Sequence, residues 1–195
     1  MKKFYRIGSV ILFALLLVLV VQTGWSSPND KDKKIESQTE RGEYLVNVGG
    51  CNDCHTPHIM TETGPAPDQS RLLSGHPADV KLPKFDFEIV RKGEWAMFSG
   101  DMTAMVGPWG VSYSANLTPD NQTGTGLWTP EIFKEALRTG KHMGKGRPIL
   151  PPMPWFNLAL MTDADLDAIF AYLRSLKPIN NQVPAPIPAQ NFTQK

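Results

Sequence analysis

Val10–Val21 is an unbroken run of twelve apolar residues, preceded by Lys2, Lys3 and Arg6, and no charged residue falls between Arg6 and Asp30. A positive flank before an apolar core of that length predicts an export signal, or an N-terminal membrane anchor if Ile7–Trp25 is taken as the segment. Val21–Ser27 offers no Ala-x-Ala pair and Trp25 has the character of an interfacial anchor, which tips residues 1–27 toward retention. Both readings carry the rest of the chain out of the cytoplasm, to the periplasmic side of the cell membrane. Residues 28–39 are charged with Ile35 as their single large apolar side chain, the pattern of a solvated linker.

Helical periodicity begins near Glu40. Tyr44, Leu45 and Val48 share a helical face that Gly49-Gly50 ends, so a short helix is expected to run straight into Cys51. A second helix follows from Thr129-Pro130, an N-cap with proline at the first helical position, with Ile132, Phe133, Ala136 and Leu137 on one face and Gly140 as its stop. The third starts at Thr162, whose spacing to Asp165 matches a capping box, and carries a stripe of Leu166, Ile169, Phe170, Leu173 and Leu176 before Pro178. Between Thr56 and Leu127 regularity fades. Short strands are expected there at Phe85–Val90 and Gly110–Ser114, and so long a stretch should wrap something or carry local hairpins. Residues 40–180 thus read as one all-α domain of three main helices with a long irregular insertion. Residues 181–195, with Pro184, Pro186 and Pro188, read as an extended surface tail.

Composition narrows the function classes. With 20 Lys and Arg against 19 Asp and Glu among 195 residues, a basic nucleic-acid binder is excluded. Removing residues 1–27 takes away three cations and no anions, which leaves 17 positive and 19 negative residues and a mildly acidic exported part. Two cysteines cannot form a disulfide framework, so chemistry needing paired thiols has one place to occur.

That place is Cys51-Asn52-Asp53-Cys54-His55. In C-x-x-C-H the two thiols, three residues apart on a helical turn, match the spacing of the two vinyl groups of a heme, and the adjacent histidine faces the iron from the same side. One covalently bound heme c is therefore the expected cofactor, attached outside the cytoplasm as the N-terminal segment permits. The rivals are a zinc site, which would need two more ligands from His55, His58, His76 or His142 and lacks a second compact pair, and a redox dithiol, which would want a βαβ pattern that is not visible.

The ligand opposite His55 has many candidates: Met60, Met97, Met102, Met105, Met143, Met153, Met161, His58, His76 and His142. Met153 stands apart because Pro151, Pro152 and Pro154 pre-set an extended backbone around it, leaving little chain entropy to lose when sulfur binds iron. Trp155 beside it would cover the heme edge. A polyproline surface loop with an incidental methionine is the plain alternative, and His142 with Met143 the next pair. The second ring nitrogen of His55 is expected to donate to a backbone carbonyl, that of Pro65 or Pro67. Arg138, Lys141 and Arg147 are candidate partners of heme propionates, with helix-end or surface charges the favoured reading. Packed together, the first and third helices would bring Tyr44 to Phe170 or Tyr172.

A heme motif after an N-terminal helix, a methionine loop before a C-terminal helix and a helix between them make the chain resemble a class I cytochrome c. More narrowly, Arg41-Gly42-Glu43-Tyr44-Leu45-Val46, Ser114-Ala115-Asn116-Leu117-Thr118-Pro119-Asp120, Thr123-Gly124-Thr125-Gly126-Leu127-Trp128 and Pro152-Met153-Pro154-Trp155 are similar to heme domains of cytochrome c subunits of bacterial membrane-bound alcohol and sugar dehydrogenases. The resemblance covers roughly residues 40–58 and 110–184, and it implies that Met153 is the sixth iron ligand. Those subunits usually carry three hemes where this chain has cysteines for one, and Pro77–Pro108 matches no motif of theirs.

The expected protein is a monoheme, His55/Met153-ligated electron carrier, without catalysis of its own. Its expected partners are a dehydrogenase, a terminal oxidase, or both, with membrane association through the N-terminal segment and no nucleic acid. Two rivals need an open iron site: a peroxidase-like enzyme using His142 as distal acid–base residue, and a gas sensor with Met153 displaced.

Overall fold

The computed structural model describes residues 37–191. The expected signal or anchor at residues 1–27 lies outside the described residues, as do linker residues 28–36 and the last four positions. Among the described residues no helix is long and apolar enough to cross a membrane.

Helix α1, Gln38–Val48, begins earlier than its apolar pattern indicates because Ser37 caps it. The Ser37 hydroxyl accepts the Glu40 N–H at 3.1 Å, and the Glu40 carboxylate accepts the Ser37 N–H at 2.9 Å, a reciprocal box hidden inside what reads as linker. Its buried face also differs from the expected one. Gly42 and Val46 are buried, whereas Tyr44 is 54% and Val48 63% exposed, and the Arg41 guanidinium lies over the Tyr44 ring. The reason is Gly42. A Cβ there would stand 1.9 Å from the Ala168 carbonyl oxygen and 2.9 Å from Tyr172 Cβ, so this glycine lets two helix backbones approach and rotates α1 away from its aromatic face.

The three main helices otherwise follow their periodicity. After the one-turn helix α2, Cys51–His55, a hairpin pairs β1, His58–Thr61, with β2, Gly64–Pro67. Helix α4, Pro130–Thr139, is capped by Thr129 and stopped by a left-handed Gly140. Helix α6, Asp163–Ser175, is capped by Thr162, and it follows the one-turn helix α5, Trp155–Leu158. Val46, Leu73, Phe133, Leu137, Leu166, Ile169, Phe170, Tyr172 and Leu173 form the main core, and the Phe133 and Phe170 rings lie 5.3 Å apart.

The all-α expectation holds only in part, because short strands of the long middle segment and the C-terminal segment form a small sheet beside the helices, including a strand at the expected Gly110 start. Strands β3, Met97–Phe98, β4, Ala104–Gly107, β5, Gly110–Tyr113, and β6, Ile187–Pro188, form an antiparallel sheet in that order. Every residue of β4 is buried, so it lacks the alternation by which a half-buried strand announces itself. Phe85–Val90 is not a strand, although Phe85, Phe87 and Ile89 alternate with acidic residues. Asp86 accepts the Glu88 N–H at 2.9 Å and starts a single helical turn, α3, Glu88–Arg91, which gathers Phe85, Phe87 and Val90 with Val106 and Val111 in a second core. The proline-rich segment after Asn180 is tied down and does not lie free on the surface: Asn181 is 4% exposed and Ile187–Pro188 completes the sheet.

Candidate functional site

Gly49 ends α1 and a left-handed Gly50 restarts the chain in α2, so Cys51 and Cys54 fall three apart on one helical turn. Neither is in a disulfide. Burial pushes the Cys51 thiol up to about 11, against the pull of its own backbone, with Asp53 and Cys54 adding to the rise. Burial and then Asp53 raise the Cys54 thiol as well. A thioredoxin-like dithiol needs the opposite, a thiolate favoured by its surroundings. Among the described residues no group of three His, Cys, Asp or Glu side chains is arranged to hold a metal ion, and the zinc reading lacks its further ligands.

His55 is buried, and burial holds its imidazole below its ordinary value while the Ala115 carbonyl works the other way. Nδ1 lies 2.8 Å from that carbonyl oxygen. A carbonyl only accepts, so Nδ1 carries the proton and Nε2 presents its lone pair. This is the tautomer and orientation of a metal-ligating histidine. The expected kind of partner is present, but it is Ala115 and not Pro65 or Pro67. Those prolines belong to β2, where they lie opposite Met60 and His58, and the chain reaches His55 from sixty residues further on.

Met153 packs against the same core cluster as Cys51. The prolines around it do not make a straight extended segment. The Met153 N–H turns back to the Leu150 carbonyl at 3.3 Å, the Trp155 N–H to the Met153 carbonyl at 2.9 Å, and the Pro151–Pro152 bond is cis. The Ser112 hydroxyl, on β5, donates to the Pro151 carbonyl at 2.6 Å and ties the methionine loop to the sheet. Most other ligand candidates have different employment. Met60 is 80% exposed, Met105 is buried in the sheet, Met97 packs on the second core, and His76 is buried with Thr103 and the Val80 carbonyl as partners. His142 stacks edge-on to Trp128, and Met161 alone joins Met153 among the methionines at the main core.

Sequence comparison is decisive for kinship. The chain is 28% identical over 176 residues to the cytochrome c subunit of the quinone-dependent alcohol dehydrogenase of Gluconobacter oxydans, covering 90% of this chain and 28% of that protein. It is 28% identical over 157 residues to the gluconate 2-dehydrogenase cytochrome c subunit of Pantoea cypripedii, covering 80% and 27%. The fructose dehydrogenase cytochrome subunit of Gluconobacter japonicus matches at 36% over 145 residues, covering 74% and 22%. Over most of its length this chain is a homologue of dehydrogenase cytochrome c subunits. It spans about a quarter of the length of these relatives. No family model matches it.

A cytochrome c homologue needs two free thiols, a histidine beside them and a place for an apolar macrocycle, and the donor set here fits. Cys51 and Cys54 are unpaired, His55 offers Nε2 with Nδ1 occupied, and Cys51 and Met153 border one apolar core. Arg138 takes the plain role foreseen for it: its guanidinium donates to the Ala159 and Met161 carbonyls and pairs with Asp163 at 2.7 Å, closing the turn before α6. Arg147 donates to the neighbouring Pro148 carbonyl, and Lys141 pairs through its backbone with Pro148. Ala115 and Ser112 are the residues that sequence reasoning missed. Each acts across long chain separation, and Ala115 acts through a backbone carbonyl that carries no residue-type signal.

Proposed function

We propose that this chain is an exported monoheme c-type cytochrome that passes single electrons between redox proteins, from a membrane-bound dehydrogenase toward a respiratory-chain acceptor such as a terminal oxidase. Cys51 and Cys54 bind heme c covalently, and His55 and Met153 are the axial ligands of its iron. When bound, heme supplies a one-electron couple whose ferrous state a methionine ligand favours. The observation that carries the reading is the 2.8 Å bond from His55 Nδ1 to the Ala115 carbonyl beside two unpaired thiols. His55 is thereby held in one tautomer, and the Ser112 anchor with the turn at Leu150 keeps Met153 from swinging into solvent. With His55 and Met153 both holding the iron, no coordination site would remain for substrate, and the protein would carry electrons without catalysis of its own. Residues 1–27 place the domain on the periplasmic side and hold it at the membrane.

Acid–acetone extraction should leave the pigment on the polypeptide, with intact mass greater by one heme, and Ala at both Cys51 and Cys54 should abolish this. The oxidised protein should be low-spin with a weak far-red sulfur-to-iron band. Met153→Ala should remove that band, lower the potential and open the iron to carbon monoxide, while Met143→Leu and His142→Ala change none of the three. A band that survives Met153→Ala, or a high-spin wild-type heme, would return the peroxidase-like or sensor reading.

A further inference from the structure

Two loop segments hold His55, one by its backbone and one by its ring. Residues 73–76 and 114–117 run side by side, joined by the Leu117 N–H to the Leu73 carbonyl at 2.9 Å and the His76 N–H to the Ser114 carbonyl at 3.0 Å. The first segment gives the Gly75 N–H to the His55 carbonyl at 2.8 Å, and the second gives the Ala115 carbonyl to Nδ1. Gly75 has φ +75°, and a Cβ there would lie 2.7 Å from the Ala115 oxygen. The two tethers of His55 are thus in contact, through a residue that only glycine suits.

A single side chain from the C-terminal segment fixes that contact. Asn181 donates from Nδ2 to the Ser74 carbonyl at 2.7 Å and to the His76 carbonyl at 2.9 Å, the residues on either side of Gly75. Its Oδ1 accepts the Ala78 N–H at 2.9 Å, and its own N–H donates to Thr123 Oγ1 at 3.0 Å. Asn116 makes the matching link on the other segment, donating from Nδ2 to the Ile179 carbonyl at 2.8 Å. Both donors and the acceptor of the Asn181 amide are in use, a demand that an apolar side chain of similar size cannot meet.

Resting on the reading of His55 as an axial ligand, we propose that Asn181 is a positioning residue for that ligand: it holds Gly75 against the Ala115 carbonyl, keeps the Nδ1–H bond short, and so sets how strongly the imidazole donates to iron. Donation through Nδ1–H makes a ligand imidazole more basic and favours the ferric state. Loosening the 73–76 segment weakens that donation and raises the reduction potential.

The test uses the full chain with its heme, carrying Asn181→Leu or Asn181→Ala, with Asn180→Ala as control because among the described residues the Asn180 side chain bonds Asp120 and Gln122, away from Gly75. Both Asn181 variants should keep one heme by intact mass and show a potential above wild type. The His55 Nδ1 proton should exchange roughly five- to tenfold faster, the order of one hydrogen bond, and Asn180→Ala should match wild type throughout. Variants that melt earlier yet keep the wild-type potential and exchange rate overturn the proposal and leave Asn181 a strap for the tail. If neither variant folds, labelled wild-type protein decides: the Asn181 side-chain amide and the His55 Nδ1 proton should change exchange rate together between the ferric and ferrous states, and a change at His55 alone overturns it. A wild-type chain without covalent heme refutes the cytochrome reading itself, an outcome that intact mass separates from the rest.

Discussion

The helical part of the molecule and the sheet built by β3–β6 bury apolar side chains by different rules. In the helices, Leu166, Ile169, Phe170 and Leu173 of α6 meet Val46, Phe133 and Leu137 as continuous faces, and each face is set by neighbours three and four residues away. Around the sheet, three small valines, Val90 of α3 with Val106 and Val111 of the strands, make the centre, and Leu82, Phe85, Phe87, Met97, Tyr113 and Ile187 close around them. The helical core thus carries the candidate site residues Cys51 and Met153 on its border, while the sheet core braces the methionine loop through Ser112. One region forms the site and the other steadies it.

The largest expected effect tests this division. Leu173, 1% exposed, sits where α6 meets the other helices, and Leu173→Ala should cost about 2–5 kcal/mol. That loss should be global, with heme absorption and helical circular dichroism falling in one transition. Val111→Ala should cost about 2 kcal/mol, two methyl groups and a small cavity, and its effect should stay in the sheet. Amides of residues 97–113 would exchange faster while the far-red band persists. If Val111→Ala lowers both signals together, the two cores unfold as one unit and the comparison breaks.

The same contrast explains what could be read from the chain beforehand. Cys51-x-x-Cys54-His55, Thr129-Pro130 to Gly140, and Thr162 with its stripe are local patterns, and each appears where expected. Gly42 escaped because its importance lies in Ala168 and Tyr172 on another helix. The strand expected at Gly110–Ser114 is β5, but its partner β4 escaped because it is buried on both faces, and Phe85–Val90 imitated a strand while Asp86 was starting a helical turn. At the site, the two thiols and His55 were plain from their spacing, whereas the Ala115 carbonyl, the Ser112 anchor and the Asn181 strap exist only after distant segments pair.

A smaller effect comes from acid. The sheet region buries a titratable pair, His76 and Asp101, with 3.8 Å between Nδ1 and Oδ2. Burial lowers the His76 imidazole below its ordinary 6.5, partly opposed by Asp101 and the Val80 carbonyl. For Asp101 burial acts upward, but hydrogen bonds from Ser99 and Thr103 and the nearby His76 outweigh it and hold the carboxyl below 3.8. Both folded values lie below the unfolded ones, so the unfolded chain takes up protons first as pH falls. Stability from His76 is complete above about 6.5 and fades below it, and that from Asp101 fades only below about 4. Amide protection in residues 97–113 should therefore weaken between about pH 7 and 5 while α6 holds; His142, just after α4, is lowered by burial in the same sense. His76→Gln should flatten this first step and leave the second. Equal weakening of helices and sheet in that window would place the acid-sensitive group elsewhere.

The smallest effect joins the start of α1 to the start of α6. Arg41 donates from Nε and Nη2 to Asp165 Oδ1 at 3.1 and 3.0 Å, with side chains 41% and 27% exposed. That geometry is orderly, but water and salt reach both partners, so the pair should contribute only about 0.2–1 kcal/mol. Asp165 also supports the Thr162 cap through its N–H and carboxylate, so its replacement alone would mix two losses. A double-mutant cycle with Arg41→Ala and Asp165→Asn separates them, because the cap term cancels and only the coupling remains. The coupling should be under about 1 kcal/mol and should shrink further in high salt. Coupling of about 2 kcal/mol or more, insensitive to salt, would mean that charge pairing and not the close contact at Gly42 holds α1 to α6.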